Sequence, residues 1–384
     1  MIPAELEELL EPLERFETTR RQVARLGDRL CDLTYANPYE DTRHSAREAL
    51  VEALGDERSL DLQYAPFGGQ TLARRAAADA LRESHGADFA YQDVVLTPGA
   101  MAALQIALRA ATRPGEEVVI PTPCWLDIPL YARFAGLEPR LVPLPEPGFD
   151  LDVDAIAEAI GERTAAVVLS QPANPSGRLY PPEALARLGE ALRTAQLRFG
   201  RPIALISDEV HRDFADKFTS PLRFHDRTVV IYSFGKYHFM QGQRLGYAAV
   251  SPHYPEREPF RRELERWTRV AGIATPTALM QKALPRLLEL RHDDAWLPAW
   301  RERMVGELER AGYEVSHPDA TLFVYARTPA AYEDDFAFME DLARRGVLAL
   351  PAPAFHHSGW FRLSLTASEE MLGRALPVLE EVAA

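Results

Sequence analysis

Regular patterning dominates the chain from about residue 90 to residue 250. Short runs of β-branched and other apolar residues alternate there with amphipathic, helix-length segments. The runs predict strands at Val94–Thr97, Glu117–Pro121, Arg140–Pro143, Ala165–Ser170, Ile203–Ser207, Thr228–Tyr232 and Gly246–Val250. Segments such as Ala100–Ala111 and Pro182–Phe199 predict helices between them. Near-continuous apolar strands spaced by helices imply a largely parallel sheet covered on both faces, the α/β layer architecture. A charged segment, Tyr254–Arg269, reads as one helix leaving that domain, and Asp294–Gly312 as another helix. Strands are then expected at Tyr313–Ser316, Thr321–Ala326, Val347–Leu350 and Trp360–Leu365, with a closing helix at Ala367–Val382. The expected organisation is an N-terminal segment (1–50) joining the small domain, a large domain (51–270) and a smaller α+β domain (271–384).

The length of 384 residues agrees with more than one core, since single cores rarely exceed roughly 250 residues. The 43 basic and 57 acidic residues leave a net charge of −14, which argues against a nucleic-acid or anionic membrane partner. No apolar run approaches the ~20 residues of a membrane span. The opening MIPAELEELLEPLERFE is acidic and amphipathic, unlike a secretory or transit peptide. Cys31 and Cys124 form neither a disulfide framework nor a metal motif, so a cytoplasmic protein without a metal site is expected. Of the 43 basic residues only Lys217, Lys236 and Lys282 are lysines, so amine chemistry has three candidates.

In an open parallel sheet, ligands bind beyond the carboxyl ends of the strands. The residues following the predicted strands are chemically complementary. Gly99, Ala100 and Met101 open a helix whose free N–H groups suit a phosphate. Ser233 and Arg244 offer a hydroxyl and a guanidinium fork to the same anion. Trp125 supplies a flat apolar face, Asn174 a neutral donor, Asp208 a carboxylate and Lys236 an amine. A phosphorylated aromatic aldehyde would use them all.

On these residues the chain resembles the class I/II aminotransferase family of fold type I pyridoxal-phosphate enzymes. The resemblance is carried by Y-A-P-F-G (64–68), T-P-G-A-M-A-A-L (97–104), N-P-S-G (174–177), S-D-E-V (207–210), S-F-G-K-Y-H-F-M-Q-G-Q-R-L-G-Y (233–247) and F-R-L-S-L (361–365). It implies the type I PLP-dependent transferase fold, pyridoxal 5′-phosphate as cofactor, amino-acid and keto-acid substrates, and a homodimer with shared active sites. It further implies that Lys236 forms the internal aldimine and shuttles the proton, and that Asp208 pairs with the pyridine nitrogen. Asn174 would bond the phenolic oxygen and Trp125 would stack on the ring. Gly99, Ala100, Met101, Ser233 and Arg244 would hold the phosphate, with Tyr64 reaching the partner's phosphate. Arg362 would grip the substrate carboxylate, and Asn37 and Asn174 would line the substrate site.

The departures concern the reaction. His211 stands where a tyrosine is usual, and a histidine there implies a cofactor environment sensitive to pH near neutrality. D-E-V-H also resembles the C–S β-lyase branch, although Arg244 is often missing from that branch. Gly235 replaces a common serine, and Ala73 a frequent arginine. Transamination is the favoured reading, with β-elimination, decarboxylation or oxidative deamination as alternatives from the same electron sink. His356 and His357 read as a solvated loop pair. Ser233-Phe234-Gly235-Lys236 also fits the S-x-x-K motif of penicillin-recognising enzymes, but the S-D-N and K-T-G partners of that motif do not occur.

Overall fold

The computed structural model describes residues 2–39, 44–55 and 63–383. The outer limits of the expected domain ranges, residues 1 and 384, lie outside them. In chain order the elements are α1 (Ala4–Val23), β1 (Cys31–Asp32), α2 (His44–Gly55), α3 (Thr71–His85), β2 (Val94–Thr97), α4 (Ala100–Ala111), β3 (Glu117–Thr122) and α5 (Asp127–Phe134). There follow β4 (Glu138–Pro143), α6 (Val153–Ala159), β5 (Thr164–Ser170), α7 (Pro182–Phe199), β6 (Ala204–Asp208), β7 (Thr228–Ser233), α8 (Phe234–Tyr237), β8 (Gly246–Val250) and α9 (Arg257–Val270). The remainder comprises α10 (Ala278–Glu289), α11 (Trp296–Arg310), β9 (Phe323–Arg327), α12 (Asp335–Arg344), β10 (Val347–Leu348), β11 (Leu350–Pro351), β12 (Trp360–Ser364) and α13 (Glu369–Ala383).

Seven strands form one sheet in the order β2-β8-β7-β6-β5-β3-β4. Every pairing is parallel except those of β8, which runs against both neighbours. The central strands are apolar on both faces because helices cover both. Val95, Ile120, Val168, Ile206 and Ile231 pack under α4 and α9, while Val119, Val167 and Leu205 pack toward α6 and α7. The edge strand β4 carries Pro139 and Pro143 and is largely exposed, as an edge tolerates residues without an N–H.

The small domain has a three-stranded antiparallel sheet, β11-β12-β9, packed by α11, α12 and α13. β1 pairs parallel with β10, Cys31 opposite Val347, so the N-terminal segment is stitched to this domain. Helix α1 meets both bodies, with Phe16 buried among residues of each.

The elements depart from expectation at four places. Val347–Leu350 is not one strand: β10 pairs with β1, whereas β11 pairs with β12. Tyr313–Ser316 makes only an isolated bridge, Val315 to Ala326, since Gly312 (φ 94°) and His317 (φ 49°) turn the chain at both ends. Helix α9 does not leave the large domain; Phe260 and Leu264 pack in the core beneath the sheet with α4. Helix α10 lies beyond the expected boundary at 270, yet Met280, Ala283, Leu284 and Leu287 pack with α2 and α3 against the large sheet. We therefore propose the domain division after α10, with α2 on the large-domain side. Among the described residues, no helix is long and apolar enough to cross a membrane.

Candidate active site

The strand register lays out the site. Ser170 lies opposite Asp208, Asp208 opposite Ile231, and Gly246 opposite both Ser233 and Thr97. The carboxyl ends of β5, β6 and β7 therefore finish side by side. Antiparallel β8 begins at the same edge and delivers Arg244 just before it. A cavity of about 310 Å³ opens there.

Asp208, Lys236, Asn174 and His211 line the cavity floor and sides, with Trp125, Ala100 and Met101 from the next loops. Ser233, Arg244 and Asn37 complete its wall. Ten of the thirteen residues singled out from the sequence thus meet in one place. Gly99 adjoins them against Arg244, and Arg362 is bonded to Asn174. Only Tyr64 stands apart, fully exposed beside a separate groove between α2, α3 and α10.

One end of the cavity is built for an anion. Helix α4 starts at Gly99 (φ 92°) without a capping side chain, so its first N–H groups face outward. A Cβ at Gly99 would collide with Arg244 Nη2, and one at Gly246 would lie 2.9 Å from the Gly99 carbonyl carbon. Glycine at both positions lets the guanidinium close on the helix start. Arg244 takes a left-handed conformation (φ 51°), donates to the Gln241 carbonyl at 2.8 Å and remains exposed. Ser233 Oγ donates to the Leu245 carbonyl at 3.3 Å and accepts from Gly235 N–H at 3.4 Å.

Behind Asn174 of the cavity wall lies Arg362, completely buried on β12. Its Nη1 donates to Asn174 Oδ1 at 2.9 Å and its Nη2 to the Thr34 carbonyl at 2.6 Å. Phe323 lies 3.8 Å from the guanidinium carbon and Phe355 4.8 Å. Arg362 Nε is buried without a hydrogen-bond partner among the described residues. Trp125 is fixed by an N–H bond of 3.3 Å to Met101 Sδ.

Electrostatics tune the centre. Burial, then the cations Arg362 and Arg244, lower the Lys236 amine to about 8, against a smaller opposing pull from Asp208. Burial raises the Asp208 carboxyl to about 6, while the Val210 N–H, 3.2 Å from Oδ1, opposes the rise. His211 corrects the sequence reading. Burial, then Lys236 and Arg362, push its imidazole well below the usual range, so it stays neutral rather than titrating near pH 7. Its Nδ1 is buried without a partner among the described residues, and Phe323 packs edge-on to its ring at 5.4 Å.

The histidine pair 356–357 is likewise not a solvated loop. His356 Nε2 lies 2.9 Å from the Leu126 carbonyl, and His357 bonds Glu146 at 2.9 Å and Tyr325 at 3.0 Å. Both tie the small domain to loops of the large one. Tyr35, Thr34 and Gln241 also build the site, although the sequence motifs did not single them out. Gln241 sits inside the lysine motif, five residues past Lys236.

A half-buried lysine, a buried-edge carboxylate, an anion cradle and a buried guanidinium around one cavity, on this fold, define a pyridoxal-phosphate enzyme. The family model Aminotransferase class I and II matches residues 30–379, and the chain belongs to that family. It is 30% identical over 365 residues to the probable aspartate/prephenate aminotransferase of Aquifex aeolicus, covering 90% of each chain. It is 29% identical to the aspartate/prephenate aminotransferase of Thermus thermophilus, covering 92% of this chain and 91% of that one. Among solved structures, an amino transferase from Eubacterium rectale superposes with a TM-score of 0.87 at 27% identity, over 97% and 94% of the two chains. The protein is therefore a pyridoxal-phosphate-dependent aminotransferase with the fold of that family. The β-lyase alternative is not favoured by these relatives. The site fits the cofactor: the uncapped start of α4 beneath Arg244 suits its phosphate, and the orphaned His211 Nδ1 and half-buried Asp208 offer polar partners for its ring.

Proposed function

We propose that the residues of this cavity perform amino-group transfer in the following roles. The observation that carries the reading is the placing of Lys236, Asp208 and Arg362 around one cavity with an anion cradle at its far end. Pyridoxal phosphate, when bound, supplies an electron sink for the pair left when a Cα–H bond breaks. Ala100 and Met101 N–H, Ser233 and Arg244 hold its phosphate. Asp208 keeps a proton on the ring nitrogen, and Trp125 covers the ring. Asn174 gives its Oδ1 to Arg362, which leaves its amide N–H for the phenolic oxygen. Arg362 takes the substrate's α-carboxylate, backed by the Thr34 carbonyl and the aromatic rings around it. Lys236 Nζ, neutral in a large fraction of molecules near pH 8, removes the α-proton and returns a proton after charge has moved away from Cα.

We further propose a cytoplasmic homodimer. Its support is the exposure of Tyr64 and Leu72 on the groove between α2, α3 and α10, with Val51, Leu54 and Phe67 also exposed on α2 and on the loop before α3. Tyr64 from one subunit would then meet the phosphate cradle of the other at the exposed Arg244. The two isolated, buried cysteines agree with a reducing compartment.

Mixing cofactor-loaded enzyme with one amino acid in a single turnover tests the chemistry. The visible band of the cofactor should convert to that of its aminated form and return on adding a keto acid, and Lys236→Ala should do neither. Ammonia release with the band recovering unaided would refute transamination.

A further inference from the structure

The small domain holds the turn that carries Asn174 at two separate places, the side chain and the backbone. Resting on the roles assigned above, we propose that Asp319 is a positioning residue: it fixes the turn 173–179 so that the Asn174 amide N–H serves the cofactor's phenolic oxygen.

The first hold is on the side chain, where Arg362 Nη1 donates to Asn174 Oδ1 at 2.9 Å. The terminal torsion of an asparagine is broad, so one bond to the amide oxygen does not by itself fix where the N–H points. The backbone beneath must do that. It closes on itself just past β5: Gly177 N–H donates to the Ala173 carbonyl at 2.9 Å, and Ala173 N–H to the Arg178 carbonyl at 2.8 Å.

The second hold is on that backbone. Asp319 N–H and Ala320 N–H both donate to the Gly177 carbonyl, at 3.1 and 3.0 Å. The Asp319 carboxylate reaches back, its Oδ2 accepting from Leu179 N–H at 3.0 Å and from Arg178 Nη1 at 3.1 Å. Ser316 Oγ adds a bond of 3.0 Å to the Ser176 carbonyl. The approach is this close because residue 177 is glycine (φ 75°): a Cβ there would collide with Pro318 Cβ.

Asp319 is itself anchored from behind. Arg301 of α11 donates from Nη1 to the Asp319 carbonyl at 3.0 Å and from Nη2 to the Thr321 carbonyl at 3.1 Å. The segment then runs into β9, which pairs with β12 and sets Tyr325 opposite Arg362. Both holds on Asn174 thus come from one small-domain sheet. The carboxylate can be removed without stranding a buried group. Its contacts lie at the surface, where water replaces the lost oxygen, and Arg178 keeps Asp150 at 2.7 Å.

The visible band of the cofactor-loaded enzyme reports on the amide without any turnover. A hydrogen bond donated to the phenolic oxygen draws electron density from the conjugated ring and lowers the pH at which the bound cofactor takes up a proton. Asp319→Ala should therefore move the midpoint of the band's pH titration up by about 0.5 pH unit. Asp319→Asn keeps an oxygen for the Leu179 N–H and should move it about half as far; it decides the case if the alanine variant does not load. In an Asn174→Ala background neither substitution should add a shift, which a general loosening of the small domain would still produce. Substitutions at 319 that leave the midpoint in place, or shift it equally with and without Asn174, overturn the inference and leave the roles of Lys236, Asp208 and Arg362 intact. A native protein that develops no Lys236-dependent band with pyridoxal phosphate would instead remove those roles, and the inference with them.

Discussion

Lys236 and Arg362 are coupled cations, and the coupling can be measured. With the amine held at about 8, capture of pyridoxal phosphate by the apoenzyme should accelerate as pH rises through that value and then level off. Arg362→Leu removes a cation that lowers the amine, so the midpoint of that profile should move upward. Rapid-mixing absorbance at several pH values reads both; an unmoved midpoint would show the two groups to be independent. The same substitution should lower kcat/KM about 100-fold, the worth of a charge-assisted pair of roughly 3 kcal/mol. At Gly99 the constraint is steric. Gly99→Ala places a methyl against Arg244 Nη2 and adds a left-handed strain at φ 92°. Cofactor affinity should fall at least about tenfold, read by equilibrium titration, while α4 still forms.

At the scale of elements, strand β6 ends at one carboxylate and is followed directly by a second with the opposite task. Asp208 faces the cavity, whereas Glu209 is wholly buried and bonds His85 of α3 at 2.8 Å, with Ser207 at 3.1 Å. Burial alone would raise the Glu209 carboxyl, but His85, Arg212 and Ser220 together outweigh it and hold it below the usual range. A carboxyl depressed in the folded state contributes stability above its unfolded value of about 4.3 and loses it as pH falls through the folded value. Glu209→Leu leaves buried His85 Nε2 without its partner, while Arg212 keeps Tyr247, and should cost about 3 kcal/mol at pH 7. The gap between its urea midpoint and that of the native protein should narrow as pH falls below about 4. A gap independent of pH would mean the network is not ionised as described. The short elements were the hard ones to read. Val347–Leu350 has one continuous apolar pattern, and nothing local says that its two halves pair with different sheets.

For the whole molecule, the decisive test is of the proposed homodimer. If Tyr64 completes the partner's site, Tyr64→Ala and Lys236→Ala homodimers should each be impaired. Mixing them under exchange conditions should form hybrids in which one site carries both native residues. Activity should then recover toward about a quarter of the native value, since random exchange makes about half the dimers hybrids with one intact site each. No recovery, with exchange verified by mass, would place Tyr64 outside the partner's site. The domain division also belongs to this scale. The sequence pattern breaks near residue 270, after α9, but the apolar stripe of α10 is satisfied by α2 and α3. The division proposed above follows that packing rather than the break in pattern.

The sequence by itself determined the seven strands of the large sheet, the helices between them and the residues placed at their carboxyl ends. These follow from local periodicity and from the rule that such sheets bind ligands at that edge. Tertiary structure alone decided the contacts that join distant segments. Arg362 meets Asn174 across 188 positions and the Thr34 carbonyl across 328, and Gln241 reaches Ala36 across 205. It also decided the charge of His211, which residue type left open. Burial beside two cations costs an imidazolium too much, and no reading of neighbours along the chain contains that energy.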